Sequence, residues 1–159
     1  MKDKLRTQSG VAAVEFAVIL PILVLIGVGI CEFSVIYYDK AMITNASREG
    51  ARVGIALTGQ VDSSGNPIPV DDLKIETTVD NYLQNQLSKK ILLLSLGNPS
   101  STTTKKITRD LNASTGTYSP GGKLTVTVTY PYTFAVLPNF IASIINPIPL
   151  AGETVMEFQ

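Results

Sequence analysis

Hydrophobic and polar residues divide the chain into an apolar N-terminal stretch and a mixed remainder. Residues 11–31 contain one charged side chain, Glu15, whereas the ten residues before them contain four. A helix of 21 residues is about 31 Å long, which matches the hydrocarbon core of a bilayer. The pattern therefore predicts a transmembrane helix over residues 11–31, with the basic residues of segment 1–10 in the cytoplasm.

The helical pattern continues beyond the apolar stretch. No proline occurs between Glu32 and Leu57, and apolar or small residues recur there at a period close to 3.6. These features predict one continuous helix over residues 11–57, about 70 Å long. Its outer half, residues 32–57, would emerge from the membrane as a stem.

Three residues of the predicted transmembrane segment bear on its shape and packing. Pro21 is expected to kink the helix or to open one of its turns. Gly27 and Gly29 are expected to permit close packing against another helix. Ordinary helix flexibility explains the two glycines equally well, so both interpretations remain open.

A cluster of charged residues lies near the end of the stem. Arg48, Glu49 and Arg52 lie within two turns, and Glu49 with Arg52 has the i,i+3 spacing of a helical ion pair. A solvated helix face explains this cluster about as well as contact with a partner protein.

Residues 58–159 predict a small outer domain. Asp71 or Asp72 is expected to cap a second helix that runs to about Lys90. The helix has an apolar stripe that is expected to face a core, formed by Leu73, Ile75, Val79, Leu83 and Leu87.

Strand patterns follow this helix. Lys123–Tyr130 alternates between apolar residues and threonine, and residues 105–111 and 153–158 are weaker candidates. Pro131 is expected to interrupt its strand, and the prolines of segment 138–150 predict a loop. After Pro131 the pattern continues with a second apolar segment over 134–137, and residues 140–145 could form a short helix. The predicted fold class is α+β, with the long helix packed on a small antiparallel sheet.

Composition excludes several functions. The 159 residues include 13 basic and 13 acidic side chains, no His, no Trp and one Cys. This charge balance gives no basis for binding nucleic acid, and without His neither a Ser-His-Asp triad nor a His-ligated zinc site can form. The cluster of Asp62, Asp71 and Asp72 lacks the spacing of a calcium loop. We therefore expect no cofactor, no metal and no enzymatic activity.

The N-terminus is open to three interpretations. A cleaved secretory signal is disfavoured because Glu15 interrupts its apolar region. A lipoprotein signal ending at Cys31 is disfavoured because the bulky Ile30 precedes that cysteine. The third is a retained transmembrane helix, in which Cys31 would be a small packing residue.

The residues around Glu15 form a specific motif. Gly10 precedes Val11, Glu15 is the fifth residue counted from Val11, and Phe16 follows it. This segment resembles the processing site of type IV pilin-like proteins, in which a prepilin peptidase cuts after the glycine. Phe16 takes the place of the tyrosine in the Glu-Tyr pair of the Flp/Tad pilins.

The resemblance extends over residues 6–52. Segment 6–17, then Pro21, Gly27 and Glu32, and finally the run Ala-Ser-Arg-Glu-Gly-Ala-Arg over 46–52 are similar to the TadE/TadF-like family of the tight-adherence (Tad) secretion apparatus. This family resemblance implies a minor pilin or pseudopilin that assists pilus initiation, assembly or tip and base structure in adhesion.

The resemblance also implies processing, location and partners. Cleavage between Gly10 and Val11 would remove a leader of residues 1–10. Glu15 and Phe16 would act in assembly. The chain would cross the inner membrane once, with its C-terminal domain outside the cytoplasm. Its partners would be prepilin peptidase, other pilin-like subunits, the inner-membrane assembly platform and membrane lipid. The alternative is an anchored sensor or scaffold domain that never polymerises.

Overall fold

The computed structural model describes residues 2–57, 60, 62–65, 71–88, 103–110, 121–134 and 148–158. Its elements, in chain order, are helix α1 (Lys2–Leu57), helix α2 (Asp72–Ser88), and strands β1 (Thr104–Arg109), β2 (Lys123–Tyr132) and β3 (Ile148–Glu157). A long N-terminal helix and a small antiparallel sheet confirm the predicted α+β fold class. The predictions that fall on residues 135–147 lie outside the described residues.

Helix α1 ends at Leu57, as predicted, and is continuous through Pro21. It begins at Lys2, nine residues before the predicted start at Val11. Residues 2–9 contain neither proline nor glycine and include Lys, Leu, Arg and Gln, which are good helix formers, so the helix extends through them.

Helix α2 is capped by Asp71. The backbone N–H of Leu73 donates to Asp71 Oδ1 at 2.9 Å, which satisfies one of the free donors of the first turn. The predicted end at about Lys90 is close to the observed last residue, Ser88. Of the two aspartates that could cap this helix, the structure selects the first.

The buried face of α2 is narrower than predicted. Ile75, Val79 and Leu83 are buried, but Leu73 is 65% exposed, so its assignment to the apolar stripe was wrong. Two residues along a helix turn the side chain by about 200°, which places Leu73 opposite Ile75. The side chain of Leu87 lies outside the described residues.

The sheet is an antiparallel meander in the order β1-β2-β3. Its central strand β2 buries Leu124, Val126, Val128, Tyr130 and Tyr132 on one face, which is the predicted alternation. The threonines between them point to the opposite face of the pleat.

Two prolines lie inside strands, contrary to prediction. Strand β2 passes through Pro131, and β3 begins at Ile148 and includes Pro149, five residues before the predicted start. Pro131 and Pro149 pair with each other, and the first residue of β1, Thr104, lies opposite Thr129. Among the described residues only β2 and β3 pair at the prolines, and a proline there can lack an N–H donor without breaking a described ladder on its other side.

Helices α1 and α2 cover one face of the sheet and enclose the core. Two ion pairs link α2 to β1: Lys105 Nζ lies 2.7 Å from Asp80, and Arg109 pairs with Asp72. The buried apolar residues are Met42, Ile43, Ala46, Ala51, Ile75, Val79, Leu83, Leu124, Val126, Val128, Tyr130, Tyr132, Leu150 and Phe158. The outer half of α1 is thus part of the domain core rather than a free stalk.

Glycines allow the close packing of α1 against its neighbours. A Cβ atom at Gly152 would lie 2.7 Å from the backbone nitrogen of Thr44 and 2.8 Å from the carbonyl carbon of Ile43. At Gly50 and Gly54 the nearest atoms belong to side chains instead, those of Val79 and Leu124. Among the described glycines, Gly152 alone has the backbone of another element within this distance, so β3 fits directly onto α1.

We predict that Gly152→Ala destabilises the domain. The added methyl group meets helix backbone, which has no rotamer to change, so α1 and β3 must separate at a cost of about 1–3 kcal/mol or more. Thermal unfolding of the full chain in detergent measures the change. Gly29→Ala is the matched control because a Cβ there meets nothing within 4 Å. Equal melting temperatures for the two variants would contradict the prediction.

Candidate functional site

The first half of α1 projects from the domain with its apolar side chains exposed. An 18-residue stretch of α1 between Gly10 and Leu57 has a mean hydropathy of 2.7, and 0% of it is buried in this chain. The helix is long and apolar enough to cross a membrane. A core helix of a water-soluble domain would bury these side chains, whereas every residue from Gly10 to Gly27 is exposed.

The predicted processing and assembly residues lie on this exposed helix. Val11 is 55% exposed and Phe16 58% exposed, and the bond between Gly10 and Val11 lies within α1. Glu15 is exposed and has no hydrogen bond or ion pair among the described residues. Its carboxylate is therefore available to a group from outside this chain, and the roles of these four residues stay predictions.

The predicted helix-packing residues are also open. A Cβ atom at Gly27 or Gly29 would meet nothing within 4 Å, and Pro21 is exposed. These residues pack on nothing in the described part of the chain, so the proposed contact would have to come from another helix. Cys31 is exposed as well, so a packing contact of this residue would also have to come from outside the described part of the chain.

The transition from exposed helix to domain core occurs at Glu32. This side chain is only 2% exposed, and the Tyr132 hydroxyl donates to its Oε1 at 2.6 Å. The ring of Tyr132 also packs edge-on against Phe134, with centroids 5.8 Å apart. Burial and the nearby Glu32 carboxylate raise the pKa of Tyr132, so this hydroxyl keeps its proton and acts as the donor.

Asp39 is a second buried carboxyl on the same face of α1, two turns beyond Glu32. The residue is 0% exposed, and neither of its carboxylate oxygens has a hydrogen-bond partner among the described residues. Burial raises the pKa of Asp39 from 3.8 to about 6, because the charged form loses its hydration. Within the described ranges, no group of three or more His, Cys, Asp or Glu side chains could hold a metal ion.

Polar contacts join the next turns of α1 to β3. Lys40 Nζ donates to the carbonyl oxygen of Ala151. The hydroxyls of Ser47 and Thr154 lie 2.7 Å apart. Together with the close approach of Gly152, these contacts fix the position of the strand along the helix.

The charged cluster at the end of the stem faces away from the core. Arg52 donates from Nε and Nη2 to the two carboxylate oxygens of Glu49, at 3.0 and 2.6 Å, which confirms the predicted pair. This pairing holds the pKa of Glu49 below its usual range. Arg48 is exposed and lies 3.5 Å from Asn45 Oδ1. The cluster lies about 50 Å along the helix from Glu15, so the two sets of residues cannot form one site within a chain.

The buried carboxyls were missed by sequence reasoning, which treated Glu32 as part of a family motif and gave Asp39 no role. A signal was present: the two residues are seven apart on a helix, in phase with the buried Ile43 and Ala46. Helical periodicity therefore assigns both carboxyls to the apolar face. Tyr132, the partner of Glu32, is one hundred residues away and could not be found from spacing.

Comparison with known families identifies the N-terminal part of the chain. Residues 10–52 match the family model described as TadE-like protein. This segment is similar to the TadE-like family. The match covers 43 of the 159 residues and confirms the resemblance seen in the sequence. No curated protein and no solved structure matches the chain.

The TadE-like segment contains both parts of the candidate site. It includes the exposed helix with Gly10 and Glu15, and also the outer stem with its buried carboxyls Glu32 and Asp39. The sheet that covers those carboxyls, including Tyr132, lies outside the matched residues. The match associates the chain with the Tad pilus and with a membrane-spanning helix.

We predict that Asp39 makes the stability of the domain fall as the pH rises from about 4 to about 7. The pKa of Asp39 is about 6 in the folded chain, against 3.8 for the ordinary carboxyl of the unfolded chain. Between these two pH values the folded state therefore binds more protons than the unfolded state. Its stabilising contribution is complete at low pH and is lost as the pH passes the folded value. In Asp39→Asn this pH dependence should disappear, and the stability difference between variant and wild type should change by about 3 kcal/mol across the range.

Thermal unfolding of the full chain in detergent at a series of pH values measures this effect. The quantity compared is the difference in unfolding free energy between Asp39→Asn and wild type, followed as the pH changes. The cost of burying the asparagine amide does not vary with pH, so it does not affect the result. Glu157→Gln is the matched control because Glu157 is exposed on β3. Parallel stability curves for wild type and Asp39→Asn would contradict the prediction.

Proposed function

We propose that this chain is a non-enzymatic minor pilin or pseudopilin of a Tad-type pilus. In this proposal a prepilin peptidase cuts between Gly10 and Val11, and the mature chain crosses the inner membrane once. The domain beyond Glu32 lies outside the cytoplasm. The observation that carries the proposal is the TadE-like match over residues 10–52 on a helix whose residues from Gly10 to Gly27 are all exposed in the isolated chain.

The exposed helix supports a role in assembly. An apolar helix with 0% of its membrane-spanning window buried has to be covered by lipid or by other helices, because water does not solvate such a surface favourably. The open positions at Gly27 and Gly29 let a neighbouring helix approach closely. A subunit that passes from the membrane into a pilus exchanges one of these environments for the other.

Glu15 supplies the specific contact in this proposal. Cleavage would leave an α-amine on Val11, which is charged below about pH 8. An amine and a carboxylate in a medium of low dielectric constant stabilise each other, although each alone is costly there. Glu15 has no partner among the described residues of its own chain, so the Val11 amine of a neighbouring pilin-like subunit is its proposed partner.

The outer stem and domain would contact the other components. Arg48, Glu49 and Arg52 face solvent at the far end of α1, where they would meet neighbouring subunits or the inner-membrane assembly platform. These contacts would help pilus initiation, assembly, or the structure of the tip or base in adhesion.

The competing function is an anchored sensor or scaffold that is never polymerised. It uses the same transmembrane helix and the same outer domain but needs neither cleavage nor an intersubunit contact at Glu15. Removal of residues 1–10 distinguishes the two functions.

We predict that a prepilin peptidase of a Tad system shortens the chain by residues 1–10. Intact-mass measurement of the full chain, co-expressed with the active peptidase, should show the loss of Met1–Gly10. Co-expression with a catalytically inactive peptidase should leave the mass unchanged. Gly10→Leu should block the cut while leaving the fold intact, because Gly10 is exposed and a Cβ atom there meets nothing within 4 Å. Persistence of the full mass with the active enzyme would leave the anchored alternative in place of the pilin.

We predict that Glu15→Ala leaves cleavage intact but weakens incorporation into the pilus. Losing one partner of a charge pair in a membrane costs a few kcal/mol, so recovery with sheared pilus components should fall by at least about ten-fold. Glu15→Asp is the matched control because it retains the carboxylate and should recover part of the incorporation. Normal co-purification of Glu15→Ala would show that this carboxylate has no assembly role.

A further inference from the structure

Charged side chains are absent from one end of the sheet. The rows of paired residues Thr104–Thr129–Ala151, Tyr130–Leu150, Pro131–Pro149 and Tyr132–Ile148 contain none. The rows beyond them contain Lys105, Lys106, Arg109, Lys123, Glu153 and Glu157. In the sequence, no charged residue occurs between Lys123 and Glu153. The sheet is therefore polar at one end and uncharged at the other.

The contacts between β3 and α1 show which end lies towards the N-terminal half of the helix. Lys40 contacts Ala151, and Ser47 contacts Thr154. Three residues of a strand and seven residues of a helix both span about 10 Å, so the strand runs alongside the helix in the same direction. Ile148 lies three residues before Ala151 on the strand, and Phe33 lies seven residues before Lys40 on the helix. Ile148 and Phe33 are therefore at the same level along the helix axis.

The hydrogen bond between Tyr132 and Glu32 gives the same position independently, because Tyr132 pairs with Ile148 in the sheet. The uncharged end of the sheet therefore lies beside the first buried residue of the stem. We define this end by its described residues, which are Pro131, Tyr132, Thr133, Phe134, Ile148 and Pro149, and call it the proximal end.

The length of the apolar helix places this level at a membrane boundary. The uncharged run Phe16–Cys31 has 16 residues and spans about 24 Å, which is less than the roughly 30 Å of hydrocarbon in a bilayer. If the inner boundary lies near Glu15, the outer boundary falls about 20 residues later, near Val35. Glu32 then lies at or just inside that boundary, where the Tyr132 hydroxyl satisfies its carboxyl.

We propose that the proximal end of the sheet rests in the outer interface of the same bilayer that the helix crosses, with phospholipid as its partner. Ile148 is 38% exposed, and Pro131, Thr133 and Pro149 are exposed beside it. Apolar and uncharged groups of this kind are stable at the boundary between headgroups and acyl chains, where a charged end would be expelled. The domain therefore sits on the membrane rather than standing clear of it.

Phospholipid is favoured as the occupant because the helix itself carries this surface to the bilayer. A second protein would have to reach a surface that lies at the level of the membrane boundary. The proposal rests on the single-pass placement of the proposed function, but it makes a separate claim about the position of the outer domain before assembly.

The absence of tryptophan from the chain allows a direct test. Single tryptophans are introduced into the full chain at Ile148 (Ile148→Trp) and at two reference positions. Val24→Trp lies in the middle of the apolar helix, at a side chain that is 55% exposed. Val155→Trp lies further along β3, about 23 Å from Ile148, at a side chain that is 49% exposed. Thr133→Trp provides a second probe of the proximal end if Ile148→Trp does not fold.

Each variant is reconstituted into phosphatidylcholine vesicles with and without brominated acyl chains, which quench tryptophan on contact. We expect roughly a two-fold or greater loss of fluorescence for Val24→Trp and Ile148→Trp, because an interfacial group reaches about 5–10 Å into the boundary region. Val155→Trp should lose none.

The three positions separate the possible failures. Quenching of Val24→Trp without quenching at Ile148 and Thr133 would overturn the proposal and leave the transmembrane placement intact. No quenching of Val24→Trp would overturn the placement itself and, with it, the proposed function. Quenching at Val155 as well as Ile148 would show a sheet lying flat on the membrane, which also contradicts contact through the proximal end.

Discussion

A single helix that must satisfy two solvents is the constraint on which the rest of this structure depends. From Gly10 to Gly27 every side chain of α1 is exposed and nearly all are apolar, so this half is suited to lipid or to neighbouring helices. From Glu32 onwards the same helix buries one face in a protein core and exposes the other to water. The sheet and α2 cover that one face. The change from a helix exposed on all sides to a helix with one buried face occurs within about one turn.

Carboxyl groups mark both sides of this change. Glu15 is exposed and unpartnered among the described residues, whereas Glu32 is buried and accepts a hydrogen bond from Tyr132. Asp39, two turns further along the buried face, has no hydrogen-bond partner for either oxygen in the part of the chain that the structure describes. Glu32 thus has a hydrogen-bond donor within the chain, whereas Glu15 is open to a group from outside it. Asp39 is buried without a described partner, and its pKa is raised as a result.

Much of the secondary structure could be predicted from the sequence because its signals are local. The end of α1 at Leu57, the cap at Asp71 and the alternation of β2 depend on residues that are neighbours in the chain. Pro131 and Pro149 were misjudged because a proline's cost in a strand depends on how the neighbouring strands pair, and the described pairing of β1 with β2 goes no further than Thr104 and Thr129. Leu73 was misjudged because a stripe of apolar residues does not show where its edge falls.

The candidate site divides in the same way. The motif from Gly10 to Phe16 could be recognised from the sequence, yet its recognition came from family resemblance, and physical reasoning alone would have identified only an unusual carboxylate in an apolar run. The contact between Glu32 and Tyr132 joins residues one hundred positions apart, which no periodicity reveals. The close fit of Gly152 against the backbone of Thr44 was equally out of reach, since a glycine in a strand can mark a bend, a bulge or a close approach.

That close fit has a mechanical consequence. The helix runs without interruption from the apolar segment into the core, so a force that draws it along its axis reaches the domain without passing through a hinge. The force acts on β3 in shear, because the strand lies alongside the helix. It is resisted by the contacts of Lys40 and Ser47 with the strand and by the close packing of Gly152 against the helix backbone. Helix and sheet must therefore move as one rigid body, and a displacement of the helix by one turn raises or lowers the whole outer domain by about 5.4 Å.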